Sequence, residues 1–313
     1  MIYVSGLTKT FGSLTAVDNL NLAIDKGEVF GFLGPNGAGK TTTIRMLACL
    51  IAPSKGTATV AGFDIYSNPQ NVRQSVGILT ENPSLYERLS AYENLDFFAQ
   101  AYGVADPQER QSRIRELLEF FNLWDRRNDK AGTFSKGMKQ KLAIVRATVH
   151  KPPVLFLDEP TAGLDPKSAK EIRDLMAQLS RHENRTILLC THHLEDAEKL
   201  CQRVLIMNKG HCIFIGAPDK LRDQINPNPT IQIGLRELTP KITSAVENNK
   251  HTQTITTNQL SAELLVGVRD AQLATPEIVR TIVEAEGQIL SVNVVRPSLE
   301  DAYLKLIKEQ TTP

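Results

Sequence analysis

Eight consecutive residues, Gly34-Pro35-Asn36-Gly37-Ala38-Gly39-Lys40-Thr41, satisfy the spacing GxxxxGK(S/T). A loop that wraps a phosphate needs backbone that approaches closely and turns through positive φ, so that its amides converge on the anion; glycine permits both. Lys40 adds a full charge, and at about 4 Å with an effective dielectric near 20 one such pair contributes on the order of 4 kcal/mol before desolvation. The Thr41 hydroxyl is a hard oxygen suited to Mg2+, and Thr42 begins the helical stretch whose positive end adds to the anion site. A second group, Asp158-Glu159, closes the apolar run Val154-Leu155-Phe156-Leu157. Asp158 can hold Mg2+ while Glu159, leaving the strand end in another direction, polarises an attacking water. The loop alone does not separate a kinase, a GTPase and a motor. A carboxylate beside the metal ligand favours hydrolysis.

These groups need elements that converge. The loop follows the apolar segment Val29 to Leu33 and precedes the helical stretch Thr42 to Leu50. Val154–Leu157 and Ile187–Cys190 are continuous apolar runs suited to strands covered on both faces, and Thr57–Val60 alternates as an exposed strand. Ile172, Leu175, Met176 and Leu179 repeat at helical spacing after Pro166. Strands alternating with helices predict an α/β fold with a parallel sheet between helices. The prolines of Asn226-Pro227-Asn228-Pro229 break the chain, and residues 226–229 are expected to link two domains, 1–225 and 230–313. Beyond them the pattern is strand 231–235, helix 240–249, strands 253–257 and 262–268, helix 275–286, strand 288–296 and a last helix from Ser298. That βαββαβ order predicts a small α+β, ferredoxin-like domain.

The 313 residues suit two domains, and 36 Lys plus Arg against 35 Asp plus Glu leave a net charge of +1, so no bulk charge attracts nucleic acid or an anionic bilayer. Stretches free of charge, such as Gln224 to Leu235, fall well short of the roughly 20 apolar residues of a membrane span. The opening residues lack a secretory pattern, so a cytoplasmic location is expected. Cys49, Cys190, Cys201 and Cys212 lack CxxC spacing, lie among apolar residues and read as reduced core residues.

Phe134-Ser135-Lys136-Gly137-Met138-Lys139-Gln140, upstream of Asp158, makes the pattern specific. Residues 1 to about 220 resemble the ATP-binding subunits of ABC transporters, whose signature LSGGQ precedes the strand that carries the paired carboxylates. The resemblance implies a P-loop, RecA-like core with antiparallel β and helical subdomains, the latter over about 85–150. It also implies that Ser135 and Gly137 of one copy cap the γ-phosphate held by the other, so the working unit is a homodimer. Thr161-Ala162-Gly163-Leu164-Asp165 resembles the segment that crosses between subunits, placing Asp165 at the nucleotide. Thr191-His192 resembles the switch whose histidine contacts the γ-phosphate, and His193 is its bland neighbour. Phe11 matches the aromatic that stacks on adenine. Two departures stand out. Glu81 replaces the usual glutamine, a possible Mg2+ ligand that adds negative charge and predicts slower or more Mg2+-dependent turnover. Lys136 and Met138 replace Gly and Gln of the commonest signature.

The implied reading is an ATP-hydrolysing subunit, with ATP and Mg2+ as cofactors, bound peripherally to the inner face of the cell membrane through separate transmembrane permease subunits, with contact over Glu81 to Asn94. Pro297-Ser298-Leu299-Glu300-Asp301-Ala302-Tyr303-Leu304 resembles a segment of type-2 export systems, which favours export over import. The competing classes are a soluble ABC-type ATPase on ribosomes or nucleic acid, and a module that binds ATP without hydrolysing it. Ribosome-acting members carry two cassettes per chain and repair members insert long coiled coils, neither of which fits, while Glu159 and His192 argue against the inert module. The second domain is expected to sense a small molecule or brace the pair.

Overall fold

The computed structural model describes residues 1–80, 82–225, 229–295 and 298–309. Glu81, most of the 226–229 linker and Pro297 of the export-like segment therefore lie outside the described residues. Contacts divide the chain into two compact units, 1–218 and 219–313.

The first unit opens with a hairpin, β1 (Ile2–Phe11) and β2 (Leu14–Ile24), followed by β3 (Val29–Leu33), whose five residues are all buried. Next come α1 (Lys40–Leu47), β4 (Lys55–Val60), the short β5 (Phe63–Asp64), α2 (Pro69–Ser75) and β6 (Val76–Leu79). The helical part follows as α3 (Ala91–Ala101), α4 (Pro107–Phe120) and α5 (Lys136–Thr148). The chain then returns through β7 (Val154–Asp158), α6 (Pro166–Glu183), β8 (Thr186–Cys190), α7 (Leu194–Leu200), β9 (Arg203–Asn208) and β10 (His211–Gly216).

Strands β2-β1-β4-β5 form an antiparallel sheet; β10-β9-β3-β8-β7-β6 form a second, parallel apart from its β9–β10 hairpin. The runs expected to be covered on both faces, β7 and β8, are buried at every position. One apolar core, with Phe30, Phe32, Phe156, Met46 and Leu47, joins the two sheets through α1. Because β3, β8 and β7 are parallel and adjacent, their carboxyl ends open on one edge, which is where ligands bind in such sheets. Cys190 and Cys201 are buried and Cys49 is half-buried, but Cys212 is exposed: it lies on the edge strand β10, where the register against β9 shifts between Cys212 and the buried Phe214.

The second unit takes in α8 (Pro218–Ile225) from Asp219 on, which the sequence pattern had left in the first domain. It continues through β11 (Thr230–Leu235), α9 (Pro240–Glu247), β12 (Thr252–Asn258), β13 (Glu263–Val268), α10 (Ala271–Glu284), β14 (Ile289–Val295) and α11 (Leu299–Glu309). The sheet order β12-β13-β11-β14, antiparallel throughout, is the ferredoxin-like arrangement. Its helix-side core comprises Ile231, Ile233, Val246, Leu264, Val266 and Ile278 among others. Helix α10 begins before the expected 275, because Asp270 accepts bonds from the amides of Gln272 and Leu273 and so caps it, leaving Pro276 inside the helix.

Within the first unit, α5 is clamped to the parallel sheet at its far end. A Cβ at Gly77 of β6 would lie 1.9 Å from the carbonyl oxygen of Ala147, so only glycine admits the helix at that distance. Beside it, the His150 ring stacks on Tyr102 at the end of α3, with centroids 3.8 Å apart, and its Nε2 donates to the Val76 carbonyl at 3.2 Å. Its Nδ1 is buried without a partner, so the neutral ring is the form that fits. Burial pushes the His150 pKa down from 6.5 to about 4. The unfolded chain therefore takes up a proton between pH 6.5 and 4 that the folded protein refuses, and stability falls as pH drops through that window. The loss expected from this group is about 3 kcal/mol. Urea denaturation at a series of pH values should show it, and His150→Gln should flatten that part of the profile.

Candidate functional site

The phosphate loop leaves β3 and is held open from behind. A Cβ at Gly34 would lie 2.4 Å from the Met207 carbonyl oxygen, and one at Gly39, where φ is +111°, 2.5 Å from that of Ala16. The loop is thus seated against β9 and β2, and its Ala38 carbonyl accepts the amide of Gly210 at 3.1 Å. Ala38 and Gly39 are buried, whereas Pro35, Asn36 and Gly37 face outward around the mouth of the loop. Gly39 caps α1, whose first turn carries no acidic side chain to compete with an anion. Lys40 is buried and folds back into the loop, its Nζ donating to the carbonyls of Gly34 at 2.6 Å and Pro35 at 3.1 Å. Thr42 is half-buried behind it.

Thr41 Oγ1 donates to Asp158 Oδ2 at 3.0 Å. Strand β8 lies between the strands that carry these two residues, so the start of α1 reaches across the end of β8 to make this bond. Ligands in adjacent positions around an octahedral ion at 2.0–2.1 Å are about 3 Å apart, so the pair fits a hard divalent cation held by oxygens. Under them lies the fully buried Cys190 thiol, raised well above its ordinary pKa by burial and then by the Asp158 charge, which leaves it protonated and inert.

Glu159 leaves β7 with φ +51°, a left-handed conformation that costs a non-glycine residue on the order of 1 kcal/mol. Its amide donates to the Cys190 carbonyl at 2.8 Å, which turns the side chain over the end of β8. There His192 Nδ1 lies 2.8 Å from Glu159 Oε1; the carboxylate accepts, so Nδ1 carries the proton. Thr191 Oγ1 donates to Glu159 Oε2 at 3.4 Å and accepts the His193 amide at 2.9 Å. The result is a carboxylate aimed by its neighbours, with its side chain 11% exposed beside a histidine that is 53% exposed.

Ser135 and Gly137 stand at the start of α5 and Asp165 at the start of α6. Ser135 is exposed and caps α5, its Oγ accepting the Met138 amide at 3.3 Å, so hydroxyl and helix end face solvent together. Gly137 is buried against Ser168, whose Oγ would lie 2.8 Å from an added Cβ. Asp165 caps α6 through Lys167 N, Ser168 N and Ser168 Oγ at 3.1, 3.0 and 2.6 Å; the Ser168 hydroxyl foremost holds its carboxyl below the usual range. Phe11, at the tip of the β1–β2 hairpin, is half exposed, with Lys9 Nζ 4.9 Å from the ring centroid.

One network escaped the sequence reading. Asp196, 1% exposed in the first turn of α7, accepts bonds from Thr161 Oγ1 and from Arg173 Nη1, the latter at 2.8 Å. It ties the segment after Glu159 to α6 and α7. Its signal was an acid in the first turn of a largely charged helix, indistinguishable from a residue that favours the helix's positive end.

A family model for ABC transporters matches residues 17–162. The linearmycin resistance ATP-binding protein LnrL of Bacillus subtilis is 33% identical over 306 residues, 98% of each chain. The daunorubicin resistance ATP-binding protein DrrA2 of Streptomyces coeruleorubidus is 32% identical, covering 99% of this chain and 96% of that protein. Among solved structures, an ATP-binding subunit of an ABC transporter superposes with a TM-score of 0.65 at 33% identity, over 72% of this chain and 92% of that one. A cassette captured as a dimer after hydrolysis with ADP and Pi gives 0.64 at 27% identity, over 69% of this chain and 98% of that one. With relatives above 30% identity over nearly its whole length, the chain belongs to the ABC transporter family as an ATP-binding and ATP-hydrolysing subunit.

Proposed function

We propose that this subunit powers export through a separate membrane permease, by closing two copies of itself over two ATP molecules. The observation that carries the hydrolytic part is the pair of contacts on one sheet edge: Thr41 to Asp158 at 3.0 Å and Glu159 to His192 at 2.8 Å. The direction of transport rests on the relatives, whose names speak of resistance to linearmycin and daunorubicin and of bacitracin transport.

In this scheme the loop amides and Lys40 hold the β- and γ-phosphates, and Phe11 offers its exposed face to the adenine. Thr41 and Asp158 would hold Mg2+, which neutralises phosphate charge when bound. Glu159 accepts a proton from the attacking water while Thr191 and His192 fix the carboxylate. Ser135, with the positive end of α5 behind it, caps the γ-phosphate on the other copy. Asp165 acts through the cap of α6, holding the segment from Thr161 in shape at the junction between copies. The metal role of Glu81 stays a proposal from the sequence alone.

The permease is expected to dock on the helical part. Tyr86 and Phe97, both about half exposed, meet edge to face with centroids 5.2 Å apart, and Tyr86 stacks on Phe98 at 5.8 Å. Arg146 lies over Phe98 at 4.8 Å and donates to the Ser84 carbonyl at 2.8 Å. Exposed aromatics beside a fixed cation suit a partner helix with apolar and polar faces. Among the described residues no helix is long and apolar enough to cross a membrane, so the proposed membrane location comes through that partner.

Phosphate release with Mg2+ and ATP should fall by a factor of about 10² to 10⁴ in Glu159→Gln. The same variant should accumulate an ATP-dependent dimer in size-exclusion chromatography, and adding Ser135→Arg should abolish that dimer. Equal hydrolysis by wild type and Glu159→Gln would overturn the role of Glu159. A full-rate monomer carrying Ser135→Arg would overturn the shared site. For docking, Tyr86→Glu with Phe97→Glu should lose co-purification with the permease while basal ATPase activity persists.

A further inference from the structure

His193, the residue after the switch histidine, serves neither phosphate binding nor the aiming of Glu159. It is exposed, precedes α7 and makes no side-chain cap bond there. Its ring nevertheless lies against that of His192, with centroids 4.2 Å apart and planes inclined by 35°. Glu159, His192 and His193 each present a ligand atom, and the three atoms lie within 4.8 Å of one another. Thr191 braces both sides of this cluster, donating to the Glu159 carboxylate and accepting the His193 amide.

We propose that Glu159, His192 and His193 form a second metal site, selective for a borderline divalent transition ion of the Zn2+ class, and that its occupation switches hydrolysis off. Two imidazoles and one carboxylate form the donor set that such ions prefer, while Mg2+ seeks oxygens. At metal–ligand distances of about 2.0–2.2 Å, tetrahedral ligands lie roughly 3.3–3.6 Å apart, within reach of small side-chain rotations from the separations present. Three protein ligands leave a fourth position for water. The exposed histidines leave the site open to ions from solvent. It is separate from the Thr41–Asp158 pair, so one sheet edge carries a hard oxygen site and a borderline nitrogen–oxygen site side by side. An ion there draws the Glu159 lone pairs, and the carboxylate no longer accepts a proton from water. This switching half rests on the water-activating role proposed above for Glu159; metal binding itself does not.

The test uses the full chain. Without nucleotide or Mg2+, Co2+ titrated as a spectroscopic probe should give visible absorption that saturates at one ion per chain. His193→Ala should raise the half-saturating concentration by at least about tenfold, the lower end of what even an outer partner of a metal ligand contributes. In parallel, Zn2+ added at fixed Mg2+ and ATP should inhibit phosphate release by the wild type. His193→Ala should keep basal activity and need at least about tenfold more Zn2+. Equal Co2+ binding by the two proteins would overturn the site. Zn2+ inhibition unchanged in His193→Ala would also overturn it, assigning the effect to Zn2+ replacing Mg2+ on the nucleotide. His193-dependent Co2+ binding with hydrolysis indifferent to Zn2+ would overturn the switch, whereas failure of the Glu159 role itself is read separately from phosphate release by Glu159→Gln.

Discussion

Asp158 is a negative charge set at the end of a wholly apolar strand, and the rest of the site depends on satisfying it there. An ionised carboxylate taken out of water without partners costs several kcal/mol. The Thr41 hydroxyl meets it at 3.0 Å, and the buried Lys40 ammonium lies near enough for both charges to act on the Cys190 thiol. Since β8 lies between β3 and β7, these groups meet only because α1 starts over the end of β8. The glycines at 34 and 39, seated against the Met207 and Ala16 carbonyls, hold that starting point. The loop and the Thr41–Asp158 oxygen pair are thus fixed by the protein's own contacts, which is the condition for stabilising charge that develops during hydrolysis.

Much of this was legible in the chain. The phosphate loop announces itself because few residue types tolerate its backbone, and the apolar runs of β7 and β8 read as buried strands because parallel sheets are covered on both faces. The ferredoxin-like order of the second unit followed from alternation and helical spacing, and its sheet order agrees. Element ends were less legible: α10 starts at Ala271 because an Asp270 side chain caps it, ahead of the expected 275.

What stayed hidden depends on contacts between distant segments. The bond from Glu159 to His192 needs a left-handed residue after β7, and nothing in the composition of that turn specifies one. Asp196 looks like an ordinary first-turn acid until Thr161 and Arg173 are seen on it. Cys212 sits among apolar letters, yet its place on an edge strand turns it outward. In each case pairing across the fold decides the outcome, and local pattern carries no trace of it.

Helix α5 joins both ends of this chemistry. Its first turn shows Ser135 to solvent, its last turn rests on β6 with no room for a methyl group at Gly77, and Arg146 near that end grips the carbonyl of Ser84. Thirteen residues of α-helix span about 20 Å and do not compress. The helix is therefore a rigid arm: a rigid-body displacement of its serine tip carries Arg146 and the contact at Gly77 with it, without any turn of the helix having to refold.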